Sequence, residues 1–257
     1  MPTLHMLVGL PASGKSTWAK EQSLPIVSSD DIRNELFGGE YNSADNAKVF
    51  ATARERVCEY LKDGKDVIYD ATNISYQSRK PMIKAARSIR GKVSIIAHVF
   101  VVPIPILLRR RTKRAPITAM LNALYHFQPP CEWERIDDIY CHYITGIRQV
   151  DFDYLSSRNP NRDRNERAAE LCLKQTLAPA CRFLDVCENY DGDKVHASCG
   201  AYECLVHGCS PYTAALVAYH ELPNNMTEYD KMRKVMSVDF AYDLDLVYEA
   251  DVRSRIN

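Results

Sequence analysis

No stretch of this 257-residue sequence approaches the ~18 apolar residues a membrane-spanning helix needs, so no membrane partner is expected. Net charge is missing too. Lys+Arg and Asp+Glu balance at 33 each, so attraction to a polyanion has to come from local clusters. The opening MPTLHMLVG goes directly into a strand, and no secretory signal is expected. The nine cysteines include no CxxC and are odd in number, which argues against a disulfide framework and for reduced thiols in the cytoplasm. Six of them fall between Cys172 and Cys209, with His196 and His207 nearby, but the spacings fit no zinc-finger pattern. Internal repeats and low-complexity tracts are absent.

What is present is the composition of a globular chain, 46% apolar and 26% charged. Short apolar runs at 3–9, 25–28, 66–71 and 92–102 read as buried strands. Between them, Lys15 to Gln22, Asp30 to Leu36, Ser43 to Leu61, Ser75 to Arg90 and Ile104 to Arg114 read as helices. In the third helix Val49, Ala53, Val57 and Leu61 recur every four residues, Ser43 can cap the start and Gly64 follows the end. Pro81 should disturb the fourth. The alternation predicts an α/β fold, a parallel sheet flanked by helices. Residues 151–165 are polar and aperiodic and read as a linker. Residues 166–257 read as a smaller, mainly helical domain, with helix-like runs at Glu166–Asn189, Gly200–His220 and Val238–Arg253.

Gly9-Leu10-Pro11-Ala12-Ser13-Gly14-Lys15-Ser16 satisfies GxxxxGK[ST], followed by Thr17. Glycines let the backbone turn its N–H groups around a polyphosphate, and the helix behind adds its positive end. Lys15 reaches the β- and γ-phosphates of ATP or another NTP, and the Ser16 hydroxyl can hold Mg²⁺. The strand–loop–helix context is the one this mechanism needs.

Next along the chain, Asp30 in VSSDDIR would face the terminal phosphate from the acceptor side and could take a proton from an attacking hydroxyl. Arg33, on the same helical face, could pair with an anionic acceptor. The alternative is a helix cap by Asp30 beside a solvated Arg33. DVIYDATN ends a strand at Asp70, with Asn73 and Arg79 near the same edge; a plain strand-to-helix turn is the alternative. LLRRRTKRAP places Arg110 and Arg114 on one face of a basic helix. That helix can close over a nucleotide and neutralise transferring charge, or simply face solvent.

These elements in order, GLPASGKSTWA, SSDDIR, DATN…R and the arginine-rich lid, resemble the bacteriophage-type 5′-hydroxyl polynucleotide kinases over residues 1–150. The resemblance implies a P-loop kinase domain that phosphorylates a polynucleotide 5′-OH in nucleic-acid repair, in the host cytoplasm if phage-encoded. It implies ATP and Mg²⁺ at Lys15 and Ser16, Asp30 as general base and Arg33 as acceptor-phosphate ligand. Asp70 would support Arg33 or the acceptor site. Arg110 and Arg114 would be lid arginines, with Arg114 at the transition state. Residues 115–140 resemble the helix and closing strand of such kinases. Ala12 departs from the pattern, where relatives often have Gly.

The C-terminal third faintly resembles HD phosphohydrolase domains fused to some such kinases. Asp185, His196, His220 and Asp251 fall near metal-ligand positions. The defining His-Asp pair is replaced by Leu184-Asp185, and another ligand position reads Arg167. Loss of two histidines should cripple a two-metal hydrolase. A degenerate helical domain used for packing, substrate binding or homo-oligomerisation is expected, with a residual single-metal site at Asp185, His196 and His220 as the alternative.

The rival functions keep the same engine with another acceptor: a hydroxymethylated base in DNA, or a free nucleoside or nucleotide. A nucleotide-switched binding module is a third reading, against which Asp30 speaks, because a switch needs no base.

Overall fold

The computed structural model describes residues 1–38, 45–110, 116–144, 151–186 and 196–256. The first strand, β1 (Thr3–Val8), leads through the phosphate loop into α1 (Lys15–Glu21). Next come β2 (Ile26–Ser28) and α2 (Ser29–Phe37). The Ser28 side chain caps α2 by accepting from the Asp31 N–H at 3.2 Å, and Gly38 ends it at φ 64°. Capping therefore falls to Ser28, and the Asp30 carboxylate is not consumed by it.

The third helix, α3 (Asn46–Lys62), buries Val49, Ala53, Val57 and Leu61, the stripe legible in the sequence. Ser43, the expected cap, lies outside the described residues. A four-residue strand, β3 (Val67–Asp70), is buried throughout. It feeds α4 (Tyr76–Arg87), which starts at a Ser75–Ser78 capping box. Pro81 sits inside α4 without ending it. It is exposed, so the carbonyl it leaves unpaired, that of Gln77, faces water.

After β4 (Ser94–Val101) come α5 (Ile104–Arg110), α6 (Ile117–Tyr125) and β5 (Asp138–Tyr143). The strand order is β2-β3-β1-β4-β5, with every pairing parallel. Thus β1 is central. Its carboxyl end looks toward β3 and β2 on one side and toward β4 and β5 on the other, the arrangement in which α/β sheets hold ligands.

The stretch expected as a linker is instead folded, into α7 (Phe152–Ser157) and the start of α8 (Arg162–Leu171). Asp151 caps α7 by accepting from Tyr154 N–H at 3.0 Å, and Leu155 is fully buried. Six residues are too few to display a helical period, which is why polarity dominated the sequence reading. The remaining helices are α9 (Ala178–Arg182), α10 (His196–Val206), α11 (Pro211–Tyr219), α12 (Met226–Arg233) and α13 (Val238–Ser254). The two longer runs expected here are broken. The first stops at Cys172, whose backbone is extended, and the second at Gly208, φ 90°, ahead of the Ser210–Pro211 start of α11. Short, polar α12, capped by Asn225, had no signature in the sequence reading.

One hydrophobic core runs from β1, β3 and β4 through α6 into α10 and α11. At the joint, the Tyr202 hydroxyl donates to Val102 O at 2.9 Å and accepts from Val102 N at 3.2 Å. Its ring meets Phe127 edge-on at 5.0 Å. A second cluster joins α8, α9 and α13 to Tyr76 and Cys131. The helical region is therefore fastened to the end of β4, just ahead of α5. Among the described residues no disulfide forms, and no helix is long and apolar enough to cross a membrane.

Candidate phosphotransfer site

The loop between β1 and α1 is held by close packing. A Cβ at Gly9 would lie 2.9 Å from Ser13 Oγ and 3.1 Å from Phe100 O, so only glycine fits. Gly14 has open space around it but sits at φ 95°, the left-handed region. Ala12 adopts φ 65°, which explains why glycine would suit this position better. The loop after β3 braces it. Gly9 N–H donates to Thr72 O at 3.0 Å, and Asn73, itself at φ 47°, donates its side-chain amide to Leu7 O at 2.8 Å.

Lys15 is buried, and its ammonium donates to Gly9 O and Leu10 O, both at 2.9 Å. Burial pushes its pKa down to about 8, partly offset by the carboxylates of Asp70 and Asp30. A cation held at such cost, aimed into a loop of inward N–H groups, suits a polyphosphate. Asp70 at the end of β3 is also buried. Desolvation raises its pKa, while the nearby Ser16 hydroxyl and the charge of Lys15 pull it back. Ser16 and Asp70 together offer hard oxygen donors, the set that Mg²⁺ takes. Asp70, which the sequence offers as a metal-water or arginine-orienting carboxylate, lies beside the phosphate loop.

On the β4–β5 side a cleft of about 640 Å³ runs from the phosphate loop past Trp18 to Arg110, His142 and Tyr143. It has room for a nucleotide, and it contains Ala12, Ser13, Gly14 and Thr17 as well as Lys15 and Ser16. Pro11 belongs to the same turn but does not line the cleft. Arg110 lines this cleft, whereas Arg114 lies outside the described residues. His142 was missed in the sequence. It joins a relay across three strands, His98 Nδ1 to His142 Nε2 at 2.9 Å and His5 Nδ1 to His98 Nε2 at 3.0 Å. Burial takes the His98 pKa down to about 4, so the middle ring is neutral at ordinary pH.

On the β2–β3 side Asp30 is 84% exposed and bonds to Arg33 Nη1 at 2.7 Å. Arg33 Nη2 donates to Asn46 Oδ1 at 3.2 Å, which ties α2 to the start of α3. Asp30 perturbs both Lys15 and Asp70 through space, so it shares their field without touching them. An accessible carboxylate thus sits at the start of α2, on the other side of β1 from the nucleotide-sized cleft.

Two residues expected near the acceptor are structural. Arg79 is 0% exposed. Its Nε and Nη2 grip Glu134 at 2.7 and 2.6 Å, and its other N–H groups reach the carbonyls of Asn73, Gln128 and Pro129. All five donors are used, and none remains for a ligand. Asn73 is buried and its amide is committed to Leu7, so its role is to hold the loop rather than a substrate.

In the helical region Asp185, His196 and His220 are brought together, buried, with one ligand atom from each within 4.8 Å of the others. His220 Nδ1 donates to Val217 O at 2.7 Å, which leaves its Nε2 lone pair facing His196 Nε2 at 3.4 Å. Two imidazoles and a carboxylate fit a single borderline cation. A second cation would meet Arg164, whose guanidinium bonds to Asp185 and lies 3.8 Å from Asp251 Oδ1. Arg164 rather than Arg167 thus sits where the carboxylates converge, and Leu184 is packed in the apolar core.

A family model described as AAA domain matches residues 4–122. No curated protein matches the sequence. Among solved structures, the chain is similar to one in a Pnkp1/Rnl/Hen1 complex, with 31% identity over 43% of this chain and 39% of that one, at a TM-score of 0.38. It is also similar to a chain of the Pnkp1/Rnl/Hen1 RNA repair complex, with 28% identity over 48% and 43%, at 0.41. A gluconokinase from Sinorhizobium meliloti shares 16% identity over 55% of this chain and 81% of its own, at 0.38. The chain therefore spans about two fifths of the length of the first two. A five-stranded parallel sheet flanked by helices, the phosphate loop at its central strand and a helical C-terminal region make this a P-loop kinase fold.

Proposed function

We propose that this protein is an ATP-dependent kinase that transfers the γ-phosphate to a hydroxyl of a nucleic acid, the 5′-OH end of DNA or RNA, in nucleic-acid repair. One observation carries the reading. The accessible Asp30 carboxylate, paired with the Arg33 guanidinium, lies on the opposite side of the phosphate loop from the nucleotide-sized cleft. A switch would have no use for a base there.

In the proposed reaction the phosphate loop binds the triphosphate, and Lys15 leaves the carbonyls of Gly9 and Leu10 for the phosphate oxygens. Bound Mg²⁺, held through Ser16 and Asp70, supplies charge neutralisation at the phosphates. The acceptor hydroxyl approaches in line, Asp30 takes its proton, and Arg33 holds a phosphate of the acceptor strand. Arg110, with Arg114 beyond it, neutralises charge from the lid. The C-terminal helices, read as a degenerate HD-like domain, anchor the base of that lid through Tyr202 and Val102.

The test offers γ-labelled ATP with 5′-OH oligonucleotides, duplex carrying hydroxymethylated bases, and free nucleosides. Label on the oligonucleotide ends supports the proposal. Label on modified duplex alone, or nucleosides alone, moves the acceptor to one of the rivals.

A further inference from the structure

Arg33 is not the last cation on the acceptor side. It bonds to Asn46 at the start of α3, and from there Asn46, Phe50 and Arg54 follow at four-residue steps along one face of that helix. The stripe runs about 12 Å along the axis. It ends in a separate cavity of about 150 Å³ between α3, α4 and the end of β3, lined by Phe50, Arg54, Tyr69, Thr72, Gln77 and Met82. Thr72 and Gln77 are exposed, so the cavity opens to solvent. Its lining includes Tyr69, next to Asp70, and Thr72, whose carbonyl braces Gly9 of the phosphate loop.

The lining is two-sided. Phe50, Tyr69 and Met82 supply apolar surface. The Arg54 guanidinium makes no hydrogen bond or salt bridge among the described residues, and neither does the Gln77 carboxamide. Arginines on the same helices are engaged: Arg56 with Glu35, Arg87 with Asp137 and Arg79 with Glu134. A cation and an amide left unpaired over apolar walls match a flat ring with hydrogen-bonding edges. The size agrees, because a cavity of about 150 Å³ holds one six-membered ring. A phosphate would gain from Arg54 but lose against the apolar walls.

We infer that this cavity is a nucleobase subsite, which takes the base of the nucleotide whose hydroxyl is phosphorylated. The inference rests on the acceptor class proposed above. Phe50 and Met82 pack on the ring, and Arg54 and Gln77 bond to its carbonyl oxygens or ring nitrogens. With Arg33 at one end of the stripe and Arg54 at the other, base and backbone are held at two points, which aims the terminal hydroxyl at Asp30.

The experiment compares two 5′-OH dinucleotides that differ only in the 5′ residue, one with a pyrimidine and one abasic. Dissociation constants and KM values are measured for the wild-type protein, Phe50→Ala, Arg54→Ala and Arg54→Gln. Circular dichroism and the dissociation constant for ATP check that each variant is folded. The wild type is expected to favour the base-bearing dinucleotide at least tenfold in KM, and each variant to lose most of that preference with ATP affinity unchanged. Equal KM for the two dinucleotides in the wild type, or a preference that survives in folded Phe50→Ala and Arg54→Ala, overturns the subsite while leaving the kinase reading intact. A wild type that binds ATP but neither binds nor phosphorylates either dinucleotide overturns the acceptor class, and the subsite with it.

Discussion

The Ser16 hydroxyl and the Asp70 carboxylate are near neighbours where α1 meets the end of β3, beside the Lys15 ammonium, and the hydroxyl and the ammonium both favour the charged form of the carboxylate. Two hard oxygen donors are thus offered side by side to a cation. Asp70→Asn keeps the shape and removes the charge, and Ser16→Ala removes the hydroxyl. Each is expected to lower kcat by ~10²-fold or more and to raise the Mg²⁺ concentration needed for half-maximal rate. A magnesium titration of the rate checks this.

Lys15 carries a desolvation cost that should be visible in the empty protein. Its folded pKa of about 8 lies below the reference 10.5. Between those values the unfolded chain keeps a proton that the folded chain has shed, so stability rises with pH across the window, and below it the cost is full. Lys15→Met is therefore expected to stabilise the empty protein at pH 7 by roughly 1–3 kcal/mol while abolishing phosphate transfer. Urea unfolding at pH 7 and above pH 10 measures both the gain and its disappearance.

The same ammonium sets a limit on nucleotide binding. Above about pH 8 the empty site loses its charge, and ATP affinity should fall by about tenfold per further pH unit. In Lys15→Arg, whose guanidinium stays protonated, that limb should vanish. Calorimetric titration with ATP between pH 7 and 10 decides it.

Arg79 and Glu134 form a pair with no exposed surface on either side chain. Glu134→Gln leaves a buried guanidinium uncompensated and is expected to cost about 3–5 kcal/mol. Arg79→Met with Glu134→Leu should cost far less than either single change. Chemical denaturation of Glu134→Gln, of the two single changes and of the double variant is the check, and their ATP affinities should be unaltered if the pair is structural.

Most of the sheet was legible because buried parallel strands are short apolar runs, and the α3 stripe because it repeats every four residues. The phosphate loop was legible because its glycines, lysine and serine are consecutive. What the sequence hid was pairing at a distance. DATN…R placed Asn73 and Arg79 near the right edge, but nothing local says that Glu134, 55 residues on, would bury the arginine. Arg54 was hidden for the opposite reason: one charged residue in a helix with several others carries no mark of having no partner among the described residues. Helix α7 was too short for a period, and the broken run at Gly208 needed the positive φ of that glycine to be known. A faint resemblance groups Asp185, His196 and His220, whose ligand atoms do meet, but Arg164 beside them carries no signal in the sequence.

The central claim is that a carboxylate at position 30 accepts a proton from a nucleic-acid hydroxyl across the phosphate loop. The most direct measurement is single-turnover transfer from γ-labelled ATP to a 5′-OH oligonucleotide by the wild type and by Asp30→Asn, with ATP affinity measured for both. The account predicts labelled oligonucleotide ends with the wild type, and for Asp30→Asn a transfer rate lower by at least ~10²-fold with ATP affinity within a factor of two. Equal transfer by the two proteins, or ATP binding with no labelled acceptor in either, would contradict it.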